Sequence, residues 1–228
     1  MLDPIISLTT IPTRIAHIQP CIDSLLTQGL PVYLWIPEEV IRIKAVTTAI
    51  PGFLRNRPNL TVTIVPDRGP ITKLLPALEA GHEMIITADD DHAYGTHWAT
   101  GLLEQAEKRP DAAICYRGRV FGKGRRYRQS KVISGELRQV DLITGVKGAL
   151  YRARFFDAGI FEEWRGWPMN DDIVICTHLK RRTVPILAVP LPQGCRLVPQ
   201  DYMHTDALYE ANTKRGLNDQ GLKQVFWQ

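Results

Sequence analysis

Three consecutive aspartates near the middle of the chain are its strongest chemical signal. Asp89, Asp90 and Asp91 directly follow the apolar segment 84–88. Carboxylates crowded at the end of a buried strand repel one another unless a cation compensates them. A hard divalent ion, held by one or two carboxylates and by phosphate oxygens, meets that need. The run therefore predicts a metal-assisted phosphate site, with a solvated acidic loop as the alternative.

A second candidate phosphate contact opens a predicted helix. Asp67 is followed by Gly69, Pro70 and, one turn later, Lys73. A glycine–proline turn at a helix N-terminus leaves backbone N–H groups free to bind an anion. These residues predict a contact with a nucleotide or phosphate. A plain turn with an exposed lysine is the alternative.

The first apolar segment, 4–8, is followed by a polar loop that contains Thr9, Thr10, Thr13 and Arg14. Small hydroxyl side chains let a ligand approach closely, and a guanidinium binds anions. This loop predicts a further contact with an anionic ligand. Thr10 or Thr13 could equally serve as a helix cap.

An acidic pair and a glycine-containing loop lie in the second half of the chain. Asp171 and Asp172 follow Asn170 at the start of a predicted helix. Acids at this position cap a helix and stabilise its dipole, or act as a general base toward an acceptor hydroxyl. Gly145 and Gly148 allow the backbone to approach a ligand closely.

Two weaker signals complete the set. His204 is a candidate third metal ligand beside the acidic loop, although an isolated histidine is more often structural. The segment 117–131 combines basic and aromatic residues, which suits nucleic acid, an anionic lipid or a phosphorylated acceptor; a solvated loop is an equally good interpretation. Its basic residues are Arg117, Arg119, Lys123, Arg125, Arg126, Arg128 and Lys131.

The hydrophobic pattern predicts the elements that must hold these residues. Apolar segments predict strands at 4–8, 32–36, 60–65, 84–88, 112–115 and 183–189. Helical spacing predicts helices at 18–28, 40–50, 71–80, 98–107, 171–179 and 220–226. This alternation is typical of an α/β, Rossmann-like fold with a mostly parallel central sheet and helices on both faces. Ligands then bind beyond the carboxyl ends of the strands, where the polar loops lie.

Length and composition set the limits of the interpretation. A chain of 228 residues with 44% hydrophobic and 23% charged residues predicts one globular domain. This domain would consist of a nucleotide-binding half at 1–115 and an acceptor-binding half at 116–228. The net charge of +4 is low for a dedicated nucleic-acid binder. The four cysteines form no CxxC pair, which favours reduced thiols. The N-terminus has no signal-peptide pattern and no apolar run reaches about 20 residues, so a cytoplasmic location is expected.

Taken together, these motifs resemble the glycosyltransferases of the GT-A type, close to the bacterial family A or family 2 enzymes. The resemblance spans most of the chain, from 5–14 through 67–73 and 89–91 to 170–172. The ordered set is more specific than any one piece. In such enzymes an Asp-x-Asp metal motif follows a central strand, which Asp89 and Asp91 match. A glycine-bearing loop, an acidic pair and a late histidine match 145–148, 171–172 and His204.

The resemblance implies a role for each of these residues. The donor-binding set would be Thr9, Arg14, Asp67, Lys73, Asp89, Asp90, Gly145 and Gly148. Asp91, Asp89 and His204 would hold Mn²⁺ or Mg²⁺, and Asp89 would also order the ribose. Asp172, or Asp171, which stands where the family commonly has Glu, would take the acceptor proton in an inverting displacement; a retaining reaction would need no such base.

The resemblance also implies the partners. The donor would be a UDP- or GDP-linked sugar, and the acceptor a saccharide or lipid-linked saccharide of a surface polysaccharide or glycolipid. The protein would work in the bacterial cytosol, with peripheral contact at the inner face of the membrane through the basic segment. No nucleic-acid partner is expected.

Three other classes fit the sequence less well. A sugar nucleotidyltransferase usually has a glycine-rich basic loop after its first strand, whereas 9–14 contains no glycine. An Asp-based phosphatase of the haloacid-dehalogenase type carries its Asp-x-Asp on the first strand with Thr two residues later; here Ala93 holds that position. An RNA- or lipid-binding module would leave the three aspartates unexplained.

Overall fold

The computed structural model describes residues 3–123, 126–208, 212 and 216–227. Arg125, one of the predicted basic residues, lies outside the described residues. The strands are β1 (Pro4–Thr9), β2 (Val32–Pro37), β3 (Glu39–Val40), β4 (Ala45–Val46), β5 (Leu60–Val65), β6 (Met84–Ala88), β7 (His92–Tyr94), β8 (Ala113–Cys115), β9 (Arg117–Val120), β10 (Lys131–Ser134), β11 (Arg138–Gln139), β12 (Leu142–Ile143), β13 (Ala149–Arg152), β14 (Ile186–Ala188) and β15 (Leu197–Pro199). The helices are α1 (Gln19–Leu26), α2 (Leu75–Glu79), α3 (Trp98–Lys108), α4 (Ile160–Glu163), α5 (Asp171–Arg181) and α6 (Leu217–Gly221).

One mixed, mostly parallel sheet forms the centre of the molecule. Among the described residues it has eight strands, in the order β11-β14-β8-β13-β6-β1-β2-β5. β1 runs parallel to β2 and β6, β2 to β5, and β8 to β14. β13 is antiparallel to both of its neighbours, β6 and β8. The carboxyl ends of β1, β5, β6 and β8 therefore lie at one edge of the sheet, and strands from both halves of the chain build it.

Helices cover both faces of this sheet, as the hydrophobic pattern predicts. α1 and α3 pack on one face and bury Ile22, Leu25 and Leu102 against the even-numbered positions of β1 and β6. α2 and α5 pack on the opposite face. α5 is buried from Ile173 to Leu179 because the small sheet formed by β9, β10 and β12 and the C-terminal segment also enclose it.

The predicted helix at 40–50 is wrong. The structure has a hairpin there, in which β3 pairs with β4 around a 3-10 turn at Ile41–Ile43. Lys44, with φ of 50°, closes that turn in the left-handed region. Alternating Val and Ile residues favour extended backbone and can carry a helical spacing by coincidence. Ile41 and Val46 are exposed, so no core contact selects a helix here.

Several other boundaries shift for local reasons. The helix predicted at 71–80 divides into a 3-10 turn, Gly69–Lys73, and α2, where Pro76 occupies the first turn. The strand predicted at 183–189 is shortened to β14, and the C-terminal helix begins at Leu217 and continues as a π-helical turn, Leu222–Phe226. The remaining predicted helices and strands are confirmed to within about three residues at each end.

The basic segment 117–131 is a hairpin that is packed at its base. β9 pairs with β10, and the intervening chain contacts the C-terminal segment. The Tyr127 backbone N–H donates to Asp219 Oδ1 at 2.6 Å, and Phe121 packs edge-on against Trp227. The Arg119 guanidinium lies 4.1 Å from the centre of the Tyr127 ring. Part of the positive charge predicted for a ligand is therefore used within the protein.

Candidate active site

The three aspartates lie at the carboxyl end of β6, in the centre of the sheet edge. Each carboxylate has a basic side chain beside it. Asp89 Oδ1 lies 2.6 Å from Lys73 Nζ, and Asp90 Oδ1 lies 2.8 Å from an Arg14 guanidinium nitrogen. Asp91 Oδ1 lies 2.6 Å from His92 Nδ1. The repulsion that led us to expect an external cation is thus largely compensated by the protein itself.

These neighbours shift the pKa values of the cluster in different directions. Burial would raise the pKa of Asp89, but the Lys73 ammonium outweighs it and lowers that pKa. Burial raises the pKa of Asp90 against the opposing effect of Arg14. Burial would lower the pKa of His92, but its hydrogen bond to Asp91 and the surrounding carboxylates raise it, which favours the imidazolium form.

The backbone of the aspartates is fixed by aromatic hydroxyl groups. The Asp89 N–H donates to the Tyr94 hydroxyl at 2.8 Å, and that hydroxyl donates to the Asp89 carbonyl at 2.9 Å. The Tyr202 hydroxyl donates to the Asp90 carbonyl at 2.8 Å. Sequence analysis gave these tyrosines no role. Tyr94 lies two residues after His92 on β7, and this alternation could have indicated that both side chains face the acidic loop. No local pattern around Tyr202 indicates its contact with Asp90.

Lys73 connects the acidic loop with the acidic pair of the second half. Besides Asp89, its ammonium contacts Asp171 Oδ2 at 2.9 Å. Lys73 is 6% exposed, and burial alone would lower its pKa. The carboxylates of Asp171, Asp89 and Asp172 reverse that effect and raise the pKa of Lys73 well above its ordinary value. The lysine is therefore charged and held between two halves of the chain.

Asp172 lies beside this cluster at the start of α5. Its Oδ1 and Oδ2 accept from the Gly145 N–H at 3.0 and 3.2 Å. Burial and then the Asp171 carboxylate raise the pKa of Asp172 well above the ordinary value. The helix cap itself is Asn170, whose Oδ1 accepts from the Ile173 N–H at 3.1 Å. Neither aspartate supplies that side-chain cap, which removes one purely structural explanation for the pair.

The two predicted glycines lie against different neighbours. A Cβ at Gly145 would lie 3.1 Å from Asp172 Oδ1 and 3.4 Å from Lys73 Nζ, so this glycine adjoins the charged cluster. A Cβ at Gly148 would lie 2.4 Å from Cζ2 of Trp98. Gly148 thus makes room for a buried indole, whose Nε1 donates to the Lys147 carbonyl at 2.8 Å.

Arg14 is placed inside the protein rather than on an open ligand surface. It is 8% exposed, and besides Asp90 it donates to the backbone carbonyls of Met203 and Thr205 at 2.9 and 2.8 Å. Thr10 also donates to Asp90, at 2.6 Å. Arg14 therefore fastens the segment 203–205 to the aspartate loop, a role that its sequence neighbourhood does not reveal.

Thr9 and Asp67 lie on the neighbouring loops and also have partners. The Thr9 hydroxyl donates to the Trp35 carbonyl at 2.8 Å. Asp67 accepts from the Gly69 N–H at 2.8 Å and from the Ile41 N–H at 3.3 Å, so it links its own turn to the hairpin of β3 and β4. Both residues are half-buried at the sheet edge, near the predicted donor site.

Two of the three predicted metal ligands each keep one carboxylate oxygen, Oδ2, that accepts no hydrogen bond from the described residues; they are Asp89 and Asp91. The Arg14 guanidinium lies 3.8 Å from Asp91 Oδ2. Such oxygens suit a cation completed by diphosphate oxygens. His204 is exposed at the end of the turn Asp201–His204. Within the described part of the chain no group of three or more His, Cys, Asp or Glu could hold a metal ion, so His204 does not form one preassembled set with the aspartates.

A depression of about 230 Å³ lies on another part of the surface. Glu163, Thr177, Arg181 and Val225 line it, and none of the predicted site residues does. Among the described residues, no helix is both long and apolar enough to cross a membrane.

No protein-family model matches this chain, and a search of curated proteins gives no significant match.

Proposed function

We propose that this protein is a metal-dependent glycosyltransferase of the GT-A type that moves a sugar from a nucleoside-diphosphate sugar to an acceptor hydroxyl. One observation carries the proposal. Separate segments of the sequence meet at the carboxyl edge of one sheet. They carry Lys73, Asp89, Gly145 and the pair Asp171 and Asp172. Each segment resembles a GT-A motif, and this edge is where ligands of α/β sheets bind.

The donor side of the site is built around Asp89 and Asp91. Their Oδ2 atoms would hold Mn²⁺ or Mg²⁺ together with diphosphate oxygens, with the Arg14 guanidinium 3.8 Å from Asp91 Oδ2. When bound, the cation neutralises the charge that develops on the leaving diphosphate. Tyr94 and Tyr202 fix the backbone of the aspartates, so the carboxylates need little reorganisation when the donor arrives.

The acceptor side is built around Asp172. Asp171 forms an ion pair with Lys73, whereas in the described part of the chain the hydrogen bonds to the Asp172 carboxylate come from one backbone N–H, that of Gly145. A raised pKa suits a carboxylate that must accept a proton. We assign Asp172 as the general base. It takes the proton of the acceptor hydroxyl while that oxygen bonds to the anomeric carbon and the nucleoside diphosphate departs, which inverts the configuration.

The acceptor we propose is a saccharide or lipid-linked saccharide of a surface polysaccharide or glycolipid. The exposed basic residues of the hairpin formed by β9 and β10 support this class, because they suit an anionic or lipid-bound acceptor at the inner face of a membrane. Arg126 and Lys131 are exposed. Arg119 of the same hairpin packs over the Tyr127 ring, so that cation is not available to a ligand.

The first experiment measures thermal stability with UDP, GDP, CDP, ADP and their common sugars, each with and without Mn²⁺. A ligand that binds only the folded protein raises its melting temperature. A shift that requires both one nucleoside diphosphate and the metal is expected, and it names the donor class. No shift with any nucleotide would contradict the proposal.

A second experiment tests the acceptor side. In Asp172→Ala, turnover of the identified donor should fall while nucleotide affinity, measured by calorimetry, stays close to that of the wild type. Asp111→Ala is a matched control, since Asp111 is an exposed aspartate between α3 and β8 that pairs only with the exposed Arg154 among the described residues. Weakened nucleotide binding in Asp172→Ala, with turnover retained at saturating donor, would contradict the assignment of Asp172 as the base.

A further inference from the structure

Lys73 contacts two elements, one on the proposed donor side of the site and one on the proposed acceptor side. Its Nζ contacts Asp89 Oδ1 at 2.6 Å and Asp171 Oδ2 at 2.9 Å. Asp89 ends β6 on the donor side, and Asp171 begins α5 on the acceptor side. Both carboxylates point at one ammonium that is almost fully removed from solvent.

The lysine is itself mounted rigidly on the centre of the sheet. The Ser7 hydroxyl donates to the Lys73 carbonyl at 2.6 Å, and the Trp35 indole Nε1 donates to that hydroxyl at 2.8 Å. At the start of the same turn, Gly69 has φ of 69°, and a Cβ there would lie 2.5 Å from the Pro168 carbonyl oxygen. The turn that carries Lys73 therefore lies against the chain just before α5 at Gly69.

We propose that Lys73 is a positioning residue and not a nucleotide ligand: by holding Asp89 and Asp171 together it sets the start of α5, and with it Asp172, relative to the donor. This inference rests on the proposed function for its catalytic consequence. The Lys73 ammonium donates a hydrogen bond to Asp89 Oδ1 and forms an ion pair with Asp171, so two carboxylates already compensate the charge that a phosphate would need. A misplacement of about 1 Å between reacting groups can cost about 100-fold in rate.

The test compares four variants. Lys73→Met removes the charge and keeps the apolar stem, while Lys73→Arg keeps the charge. Asp171→Asn breaks the bridge from its other end, and it replaces Lys73→Met if that variant does not fold. Lys108→Met is the control, because Lys108 is exposed at the end of α3 and far from the charged cluster in the fold. For each variant we would measure kcat, the KM of the donor and the dissociation constant of the nucleoside diphosphate.

A positioning role predicts a split between rate and binding. In Lys73→Met and in Asp171→Asn, kcat should fall by about 100-fold while the dissociation constant of the nucleotide, measured without metal so that Asp89 takes no part, stays unchanged. Lys73→Arg should recover part of the lost rate. A rise in the dissociation constant, with kcat unchanged at saturating donor, would show that Lys73 binds the nucleotide and would overturn the proposal.

Hydrogen exchange separates this inference from the proposed function. The amides of Ile173 and Val174, in the first turn of α5, should exchange about tenfold faster or more in Lys73→Met than in Lys108→Met, because breaking a buried ion pair loosens what it holds. This readout needs no substrate. If the wild-type protein transfers no sugar, the proposed function fails; unchanged exchange at α5 refutes the positioning role in either case.

Discussion

Gly148 lies under a large buried side chain, and replacing it with alanine tests how the glycine loop is held. Its φ of 99° and ψ of 149° belong to a region that is essentially restricted to glycine. A Cβ there would lie 2.4 Å from Cζ2 and 2.9 Å from Nε1 of Trp98, which is fully buried. Gly148→Ala therefore combines backbone strain with a clash that Trp98 cannot relieve without leaving its place in the core.

The two effects set the expected magnitude. Backbone strain of this kind costs about 1–3 kcal/mol, and overpacking a close-packed core costs about 1–3 kcal/mol more. We expect Gly148→Ala to lower the free energy of unfolding by about 2–6 kcal/mol, against a total of about 5–15 kcal/mol for a typical domain. Gly135→Ala is the control, because Gly135 has φ of 85° but no atom within 4 Å of its Cβ position. That variant should lose only the strain, about 1–2 kcal/mol.

Urea unfolding followed by circular dichroism measures both variants. The midpoint should fall much further for Gly148→Ala than for Gly135→Ala, with a similar dependence on urea concentration. In a Trp98→Phe background, the additional cost of Gly148→Ala should shrink because the smaller ring leaves space for the new methyl group. Equal losses for the two glycine variants would refute the reasoning.

Three further changes test the charged residues. Asp91→Asn should abolish metal-supported turnover and leave the urea midpoint close to that of the wild type; an active variant would remove Asp91 from the metal assignment. Arg14→Met should lower the free energy of unfolding by about 3–5 kcal/mol, because it leaves the Asp90 carboxylate buried without its cation; a change near zero in urea unfolding would contradict this. Asp172→Asn should stabilise the protein at pH 8, by about 1.4 kcal/mol for each unit by which folding raises the pKa of Asp172, since ionising that carboxyl opposes folding. The gain should disappear as the pH falls below about 4, where the carboxyl is protonated in both states; a gain that does not depend on pH would point to another cause.

The local hydrophobic pattern was enough to predict the parallel strands of the sheet and the loops that carry the candidate active site. β1, β2, β5 and β6 are short apolar segments bounded by polar or turn residues, and buried strands of a parallel sheet have that appearance. The placement of Asp89 after β6 follows directly from this pattern. The antiparallel insertion of β13 between β6 and β8 does not, because strand order depends on pairing across long separations in sequence.

The side-chain partners could not be predicted from spacing. Lys73 meets Asp171 and Arg14 meets Asp90 only after the chain has folded, and neither pair has a fixed separation in any motif. Sequence analysis therefore assigned both basic residues to the nucleotide, whereas the structure places both against carboxylates. The prediction of a helix at 40–50 failed for the opposite reason. The apolar residues there have helical spacing, but Ile41 and Val46 are exposed and no core contact stabilises a helix.

The central position of β13 affects how the chain acquires its fold during synthesis. β6 is buried along its whole length, yet one of its two neighbours is β13, which is made about 60 residues later. At about 5–20 residues per second, a ribosome leaves that edge of β6 without its partner for about 3–12 s. The segment Met84–Ala88 carries no charge that would discourage pairing with other chains during this interval. A fragment ending near residue 115 would keep this edge permanently open and should aggregate, so residues 1–115 are not expected to fold on their own.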